Sequence, residues 1–354
     1  MKRDFHKLTV SDTRKEIGGM AKSVMFEVPE PLAATFKWRA GQHLTLRFTI
    51  GGEEVRRSYS ISSSPVSGDP LRITVKRVKG GVVSNHINDT VKAGDVIDVM
   101  PPFGRFCLDT GATERRTHYF FSAGSGITPL HAMLHSVMVA EPHSVAHLAY
   151  GNANADSILL NDSFETLLQQ HPDRLSVHHV LSAPSMWSGF SYWRKGIVDK
   201  AAIAALITEY PPYAQDAQYY ICGPGGMNKA VKAALMSMDV PASRIHMESY
   251  GGAVDLDDSV KGIAASATVK LGGTDHTVPI VEGQTVLEAV RASGLTPPFS
   301  CQSGVCGTCR AQLTRGDVHM RARMALEDDD IEKGAVLTCQ SVATSAEITL
   351  DYDV

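Results

Sequence analysis

Four cysteines near the C-terminal end of the sequence constrain its fold most strongly. Cys301, Cys306 and Cys309 are separated by four and then two residues, and Cys339 follows at a distance. This C-x4-C-x2-C…C spacing is the plant-type pattern for a [2Fe–2S] cluster, which needs four thiolates on two bridged irons. A loop with three of these ligands must wrap a small volume. The pattern therefore predicts backbone conformations at Gly304 and Gly307 that residues with a Cβ rarely adopt.

Other interpretations of the cysteines and histidines remain open at this point. Zinc would accept four thiolates, but structural zinc sites usually combine two close pairs, not a triplet and a remote single residue. Disulfides fit poorly with the intracellular character of the sequence, and Cys107 and Cys222 are far apart. His131 and His135 have the i, i+4 spacing of a helical metal pair, but no third ligand is evident, so a core role is favoured.

Composition excludes several classes of protein. The 354 residues predict two or three domains. The N-terminal segment lacks the apolar core of a signal peptide, and no apolar run approaches the roughly 18 residues that span a bilayer. We therefore expect a cytoplasmic protein without membrane insertion. A net charge of −4 without a long basic run disfavours nucleic acid as a partner. The acidic stretch 327–330 could dock a partner, but a solvated loop or helix start is favoured.

Residues 1–112 have the pattern of a β-rich domain. Gln42–Ile50 and Leu71–Val78 alternate apolar and polar residues and are rich in β-branched side chains, which predicts strands. Glycine- and proline-containing turns separate such segments. Many short strands with few helical patterns predict a small antiparallel β-barrel.

Residues 113–250 alternate strand-like and helix-like segments. The apolar run Tyr119–Ala123 is followed by a turn with Gly124 and Gly126 and then by apolar residues at helical spacing. Here Thr128 is predicted as the helix N-cap and Pro129 as the first helical residue. A second strand–turn–helix unit is centred on 223–226. The alternation predicts a parallel sheet with helical crossovers, and glycine turns of this kind present backbone N–H groups to phosphate.

The remaining residues predict a linker and a small third domain. Residues 251–264 are polar and glycine-bearing, as in a linker. Strand-like segments flank Gly272 and Gly273 as in a hairpin. Thr285 and Glu288 form a capping-box pattern, and Gly294 suits a helix end. Strand, strand, helix and cysteine loop together predict a compact α+β module over 265–354.

Five motifs occur in one order along the chain. They are Arg57-Ser-Tyr-Ser60, Gly80–Asn85, Ala123–Pro129, Cys222–Met227 and the cysteine quartet. Together they resemble the ferredoxin–NADP reductase-like flavoproteins that carry a C-terminal plant-type ferredoxin domain, over almost the whole chain. Within this family the sequence is similar to reductase components of the phenylacetyl-CoA epoxidase and steroid ring hydroxylase types. The resemblance implies a flavin-binding barrel, an NAD(P)-binding α/β domain and a β-grasp [2Fe–2S] domain.

The resemblance also implies roles for individual residues. Arg57 would pair with the flavin pyrophosphate, Tyr59 would pack on the flavin ring, and Ser60 would hydrogen-bond near its reactive nitrogen. A second phosphate loop implies FAD rather than FMN. The cofactor-binding set implied in this way is Arg57, Ser58, Tyr59, Ser60, Gly81, Val82, Val83, Ser84, Gly124, Gly126, Thr128, Cys222, Gly223 and Pro224. The implied catalytic set is Tyr59, Ser60, Cys222 and Glu248, although Cys222 could be a buried packing thiol and Glu248 an exposed charge.

One departure from the family pattern concerns the nicotinamide cofactor. Relatives that use NADPH often carry arginine after the Tyr-Gly-Asn segment, where it reaches the 2′-phosphate. Here Ala153 follows that segment, and a second arginine position is displaced to Arg194. Ser182, Arg194 or Lys195 could compensate. The departure favours NADH over NADPH.

The predicted modules indicate a redox function. A nicotinamide delivers two electrons as hydride, a ferredoxin cluster accepts one at a time, and flavin converts between the two. We therefore expect an NAD(P)H:acceptor oxidoreductase that passes single electrons to a partner oxygenase component. An alternative is a standalone reductase of a hybrid-cluster or other redox protein. Outside enzymes, the alternatives are an iron–sulfur redox sensor and a zinc-stabilised interaction module.

Overall fold

The computed structural model describes residues 4–186, 189–250, 256–326 and 328–354. The described residues divide into two compact units. One contains His6–Val55 and Tyr59–Tyr250, and the other contains Arg56–Ser58 with the residues before His6 and after Tyr250. No helix among the described residues is long and apolar enough to cross a membrane. Residues 251–255 of the predicted linker and Glu327 of the acidic stretch lie outside the described residues.

The first sheet confirms the predicted antiparallel barrel. Its strands are β1 (His6–Glu16), β2 (Ala21–Glu27), β3 (His43–Ile50), β4 (Glu53–Ser60), β5 (Leu71–Lys76) and β6 (Val96–Val99). Within the described chain they are ordered β4-β3-β6-β1-β2-β5. An antiparallel bridge between Ile61 and Ile73 brings the chain after β4 back to β5. Because β4 and β5 are the two edges of the sheet, this bridge closes it.

A helix in the barrel region was missed by the strand-based prediction. Helix α1 (Val82–Thr90) begins directly after Gly81 and buries Val83 and Ile87. These two apolar side chains are four residues apart, so they lie on one helix face and pack into the core that the strands form. The segment that the resemblance assigns to flavin phosphate is therefore a helix N-terminus.

The second sheet is parallel, as predicted. Its strands are β7 (Thr117–Ala123), β8 (Val145–Asn152), β9 (Leu175–Leu181), β10 (Arg194–Lys195), β11 (Ala217–Gly223) and β12 (Ile245–Ser249). Its helices are α2 (Ile127–Ala140), α3 (Asn161–Gln170), α4 (Lys200–Glu209) and α5 (Gly225–Met236). The described strands are ordered β10-β9-β8-β7-β11-β12. Because β7 and β11 are neighbours and parallel, the glycine turns that follow them lie side by side.

The predicted start of α2 is wrong by two residues. The helix begins at Ile127, and Gly126 occupies the cap position. Thr128 lies inside the first turn, where its Oγ1 donates a hydrogen bond to the Ser125 carbonyl at 3.1 Å. The reason is that Gly124–Gly126 already form a 3₁₀ turn that runs directly into the helix. No extended residue is left at position 128 to act as an N-cap.

The C-terminal module is the predicted α+β fold. Its strands are β13 (Ala265–Leu271), β14 (Thr274–Ile280), β15 (Arg310–Arg315), β16 (Val318–Met320), β17 (Ala335–Leu337), β18 (Ser341–Ala343) and β19 (Glu347–Asp351), and its helices are α6 (Val286–Ala292) and α7 (Asp328–Glu332). The described strands form a sheet ordered β14-β13-β19-β15-β17 and a β16-β18 pair.

Local predictions for this module are confirmed. Strands β13 and β14 form a hairpin that turns at Gly272 and Gly273. The capping box is present, since Thr285 accepts from the Glu288 amide and Glu288 accepts from the Thr285 amide. The described residues 257–263 pack on the module through backbone hydrogen bonds from Asp257 to Arg321 and from Ile263 to Ala343.

Candidate redox site

The four predicted ligand cysteines come together in the C-terminal module. The Cys301 sulfur is within hydrogen-bond reach of the sulfurs of Cys306 and Cys339, and Cys309 is within reach of Cys339. The turn after β17 brings Cys339 to the loop. Next to it, the Thr338 hydroxyl donates to the Cys309 carbonyl at 2.9 Å. Cys309 and Cys339 are buried, whereas Cys301 and Cys306 are partly exposed. The residues that are remote in sequence thus form one thiol cluster.

The thiols form a continuous chain of contacts, in which Cys306 contacts Cys301, Cys301 contacts Cys339, and Cys339 contacts Cys309. A [2Fe–2S] cluster takes two thiolates on each of two irons, so it needs four thiols that converge in this way. The four cysteines therefore supply the complete donor set of such a cluster.

Each of these thiols changes the proton affinity of its neighbours. Hydrogen bonds from Cys306 and Cys339 lower the pKa of Cys301 far below its ordinary value. The same bond from the other side, with burial, raises the pKa of Cys339. Four thiolates in this volume repel one another, so they need a compensating positive charge. Two ferric or ferrous ions supply that charge when the cluster is bound.

The loop geometry agrees with the sequence argument. Gly304 and Gly307 have φ values of +75° and +68°. A Cβ on Gly304 would lie 3.0 Å from the Ala322 carbonyl oxygen. The Ser303 amide donates to the Cys301 sulfur at 3.4 Å. Gln302 also has a positive φ, of 56°, which sequence analysis missed because glutamine carries no signal for that conformation.

A second set of predicted residues meets between the barrel and the parallel sheet. The Ser60 hydroxyl, at the end of β4, donates to Oε2 of Glu248 on β12 at 3.4 Å. Cys222, at the end of β11, is fully buried and interacts electrostatically with Glu248. Parallel pairing places Cys222 directly opposite Glu248. Three of the four predicted catalytic residues are therefore brought together.

Tyr250 is a member of this group that sequence analysis missed. Its hydroxyl donates to Ser60 and lies 3.2 Å from the Thr128 hydroxyl. Tyr250 also lowers the pKa values of Cys222 and Glu248 relative to the effect of burial alone. A signal was available, because an aromatic residue two positions after Glu248 emerges at the same edge of the sheet. Tyr250 lies directly before the predicted linker, so the sequence prediction gave it no role in the site.

The pKa of the Glu248 carboxyl is raised. Protein surrounds it, although the residue keeps some accessible surface, and this burial raises the pKa of Glu248 to about 8. Hydrogen bonds from Ser60 and Tyr250 oppose the shift only in part. At neutral pH the carboxyl is therefore mostly protonated and is able to donate a hydrogen bond. Burial likewise raises the pKa of the Cys222 thiol, which remains uncharged.

The two glycine turns of the parallel sheet touch through their backbones. A Cβ on Gly126 would lie 2.1 Å from the Cys222 carbonyl oxygen, and one on Gly223 would lie 3.2 Å from the Ala123 amide nitrogen. Only residues without a side chain permit this approach. The Gly124–Gly126 turn leads into α2, so the first N–H groups of that helix face the same edge as Cys222.

The predicted flavin-phosphate residues lie on α1 and β4. Val82, Val83 and Ser84 form the first turn of α1, whose N–H groups are oriented for an anion. Arg57 is an exposed residue on β4 and donates to the Arg56 carbonyl at 2.7 Å. Tyr59 is partly buried against the barrel core. A cation, an aromatic ring and a helix N-terminus are groups that suit a flavin nucleotide.

Comparison with known proteins gives these sites a family. Three domain families match the chain: an oxidoreductase FAD-binding domain over residues 8–107, an oxidoreductase NAD-binding domain over 120–233, and a 2Fe-2S iron-sulfur cluster binding domain over 269–344. The E subunit of 1,2-phenylacetyl-CoA epoxidase from Escherichia coli is 31% identical over 353 residues, which are 99% of this chain and 98% of that protein. The chain belongs to the family of FAD- and [2Fe–2S]-containing oxygenase reductases.

Further oxygenase reductases agree with this assignment. The ferredoxin reductase component of 3-ketosteroid-9-alpha-monooxygenase from Mycobacterium tuberculosis is 34% identical over 349 residues, which are 94% of this chain and 92% of that protein. Phthalate dioxygenase reductase has the same fold, with a TM-score of 0.58 at 23% identity over 98% of both chains. The oxygenase reductase described here is therefore an oxidoreductase, as predicted. It uses FAD and a [2Fe–2S] cluster as cofactors and NAD(P)H as its electron donor.

Proposed function

We propose that this oxygenase reductase oxidises NADH and passes single electrons to the iron-containing oxygenase component of a phenylacetyl-CoA epoxidase-type or ring-hydroxylase-type system. The observation that carries the proposal is the presence on one chain of the thiol cluster formed by Cys301, Cys306, Cys309 and Cys339 and of the Ser60–Cys222–Glu248 group. When bound, FAD accepts hydride and releases electrons singly, and the cluster carries one electron at a time.

We assign the flavin-side roles to residues of β4, α1 and β12. Ser60 and protonated Glu248 would place a hydroxyl and a carboxyl group at the reactive edge of the flavin, and Tyr59 would offer its ring for stacking. Arg57 supplies a cation for the pyrophosphate, and the N–H groups of 81–84 supply donors. Ser58 completes the predicted flavin set.

We assign the nicotinamide cofactor to the edge formed by Gly124, Gly126, Thr128, Cys222 and the turn at 223–224. The preference for NADH is supported by the departure from the arginine pattern of NADPH-using relatives. Arg194 donates from Nη1 to the Ala201 carbonyl at 2.8 Å and lies over the Trp193 ring. Ala153 offers no charge to a 2′-phosphate.

The proposed domain limits are residues 1–112 for the flavin domain, 113–250 for the nicotinamide domain, 251–264 for a linker and 265–354 for the ferredoxin domain. We also propose a cytoplasmic location. A reducing compartment supports it, because the cluster thiolates must remain reduced and free of disulfides.

The test is a pair of cysteine variants in the purified, flavin-loaded protein. Cys306→Ser should lose the reduced-state EPR signal of the cluster and at least 10-fold of NADH-dependent cytochrome c reduction, while NADH still bleaches the flavin at the normal rate. Cys107→Ser, a matched change outside the quartet, should leave the EPR signal, cytochrome c reduction and flavin reduction unchanged. If cytochrome c reduction survives in Cys306→Ser, electrons leave from the flavin and the proposed order is wrong. Turnover with an added oxygenase component then separates an oxygenase reductase from a standalone reductase.

A further inference from the structure

His131 lies entirely within the protein, away from solvent, yet connects three elements. It is 0% exposed and sits in the second turn of α2. Its Nδ1 is 2.8 Å from the carbonyl oxygen of Ser62, and its Nε2 is 2.7 Å from the hydroxyl of Ser163 on α3. Ser62 follows Ser60 by two residues at the end of the flavin strand β4. His131 follows Thr128, in the nicotinamide-phosphate turn, by three.

The partners determine the tautomer of this ring. A carbonyl oxygen only accepts hydrogen bonds, so Nδ1 carries the proton and donates to Ser62. Nε2 is then the acceptor, and the Ser163 hydroxyl donates to it. Burial, and then the nearby guanidinium of Arg72, lowers the pKa of His131 well below its ordinary value. The imidazole is therefore neutral, and both of its nitrogens are used by protein groups, which leaves no lone pair for a metal ion.

The Ser62 carbonyl is held from two sides. Arg72 on β5 donates from Nη2 to the same oxygen at 2.8 Å and from Nε to the Ser62 hydroxyl at 3.1 Å. Arg72 anchors the peptide to the barrel, whereas His131 anchors it to α2. Both lone pairs of the carbonyl are thus occupied, and of these two bonds it is the one from His131 that links the flavin strand to the nicotinamide side. Tyr250 makes a second link, because its hydroxyl donates to Ser60 and lies 3.2 Å from the Thr128 hydroxyl.

We propose that His131 is a positioning residue for hydride transfer, because its bond to Ser62 sets the spacing between the end of β4 and the Gly124–Thr128 turn. The inference rests on the proposed function, which assigns flavin to the former and nicotinamide to the latter. Hydride transfer requires the two rings at a near-attack distance, and a 1 Å displacement caused by a remote change can cost about 100-fold in rate. His131 touches neither cofactor in this scheme and acts through backbone placement.

Two amide substitutions separate the two bonds of the ring. In His131→Asn the side-chain amide NH₂ takes the place of Nδ1 and can still donate to Ser62. In His131→Gln the longer amide reaches toward Ser163 but removes the donor to Ser62. His135→Gln is the matched control, because it is one turn further along α2 and its Nδ1 lies 3.6 Å from an Asp69 oxygen.

The measurement is anaerobic stopped-flow reduction of the bound flavin by NADH in the full-length holoprotein. His131→Gln should lower the limiting rate about 10- to 100-fold with an NADH Kd within about 2-fold of the parent, His131→Asn should recover most of the rate, and His135→Gln should match the parent. A full-rate His131→Gln variant with normal flavin content overturns the inference. So does an equal loss in His131→Gln and His131→Asn.

Failure of the inference is distinguishable from failure of the proposed function. If the unaltered protein binds no flavin or is not reduced by NADH, the proposed function is wrong. Should His131→Gln fail to fold, Ser163→Ala decides the matter. That variant removes only the Nε2 bond and keeps the donor to Ser62, so the inference requires a limiting rate within about 2-fold of the parent at full flavin content. A loss of 10-fold or more in Ser163→Ala overturns it.

Discussion

Replacing Gly126 by alanine should disable the nicotinamide side of the protein without touching any charged group. The new Cβ would lie 2.1 Å from the Cys222 carbonyl oxygen, 2.5 Å from the Cys222 carbonyl carbon and 2.7 Å from the Gly223 nitrogen. Comfortable contact between such atoms needs about 3.5 Å, so the turn must move by more than about 1 Å. All three obstructing atoms are backbone atoms of the neighbouring strand, which side-chain rotation cannot relieve.

The expected effect follows from that displacement. Overpacking of this kind destabilises a fold by about 1–3 kcal/mol, and a 1 Å shift of a bound reactant costs about 100-fold in rate. Gly126→Ala should therefore lower the melting temperature and reduce the limiting rate of flavin reduction by NADH about 100-fold. Stopped-flow absorbance of the flavin and thermal unfolding of the holoprotein measure the two effects.

Gly225→Ala is the matched control for this substitution. A Cβ on Gly225 would meet nothing within 4 Å, and its φ lies outside the left-handed region. Alanine there is also the better helix former, so stability should be equal or slightly higher. The reasoning is refuted if Gly126→Ala is reduced by NADH at the parent rate, or if Gly225→Ala is equally impaired.

Three further variants test the titrating groups and the cofactor preference. The pKa of Glu248 is raised to about 8. The free energy of unfolding should therefore fall by up to about 1.4 kcal/mol per pH unit as the pH rises from 4.5 to 8. Glu248→Gln should remove this slope in melting curves, and parallel curves would contradict it. Burial lowers the pKa values of His147 and His179 to about 4, so stability is complete above pH 6.5 and should fall by up to about 3 kcal/mol per histidine as pH drops to 4. The double variant His147→Gln/His179→Gln should lose less stability between pH 6.5 and 4. If its stability falls as steeply as that of the parent, the two histidines do not cause the loss. Ala153→Arg should raise kcat/KM for NADPH at least 10-fold in cytochrome c assays, and no gain would argue against placing the 2′-position there.

Much of the architecture was predictable because local patterns agree with the tertiary fold. Strand β3 occupies almost the whole alternating segment 42–50, and the hairpin and capping box of the C-terminal module fall where their turn and cap residues indicate. The cysteine loop was predictable for a chemical reason. Four thiolates must converge, and Gly304 and Gly307 supply the backbone freedom that the convergence requires.

Features that depend on tertiary neighbours were not predictable. Helix α1 is short and interrupts a strand-rich region, so its apolar residues resemble strand residues until the barrel core is known. The start of α2 is set by the 3₁₀ turn before it, which no cap residue announces. Tyr250 and His131 hydrogen-bond Ser60 and Ser62, which are more than sixty residues away in sequence. Spacing along the chain carries no record of such contacts.

The position of β19 determines when the iron-binding module can form during synthesis. This strand pairs with β13 on one side and β15 on the other, so it occupies the middle of its sheet. All four cysteines are translated before it. Before β19 is made, no described strand joins the β13–β14 hairpin to the β15–β17 pair. The cysteine loop, which leads directly into β15, is then not yet attached to the complete sheet. The complete sheet, to which the cysteine loop is joined through β15, therefore forms only after this strand is translated.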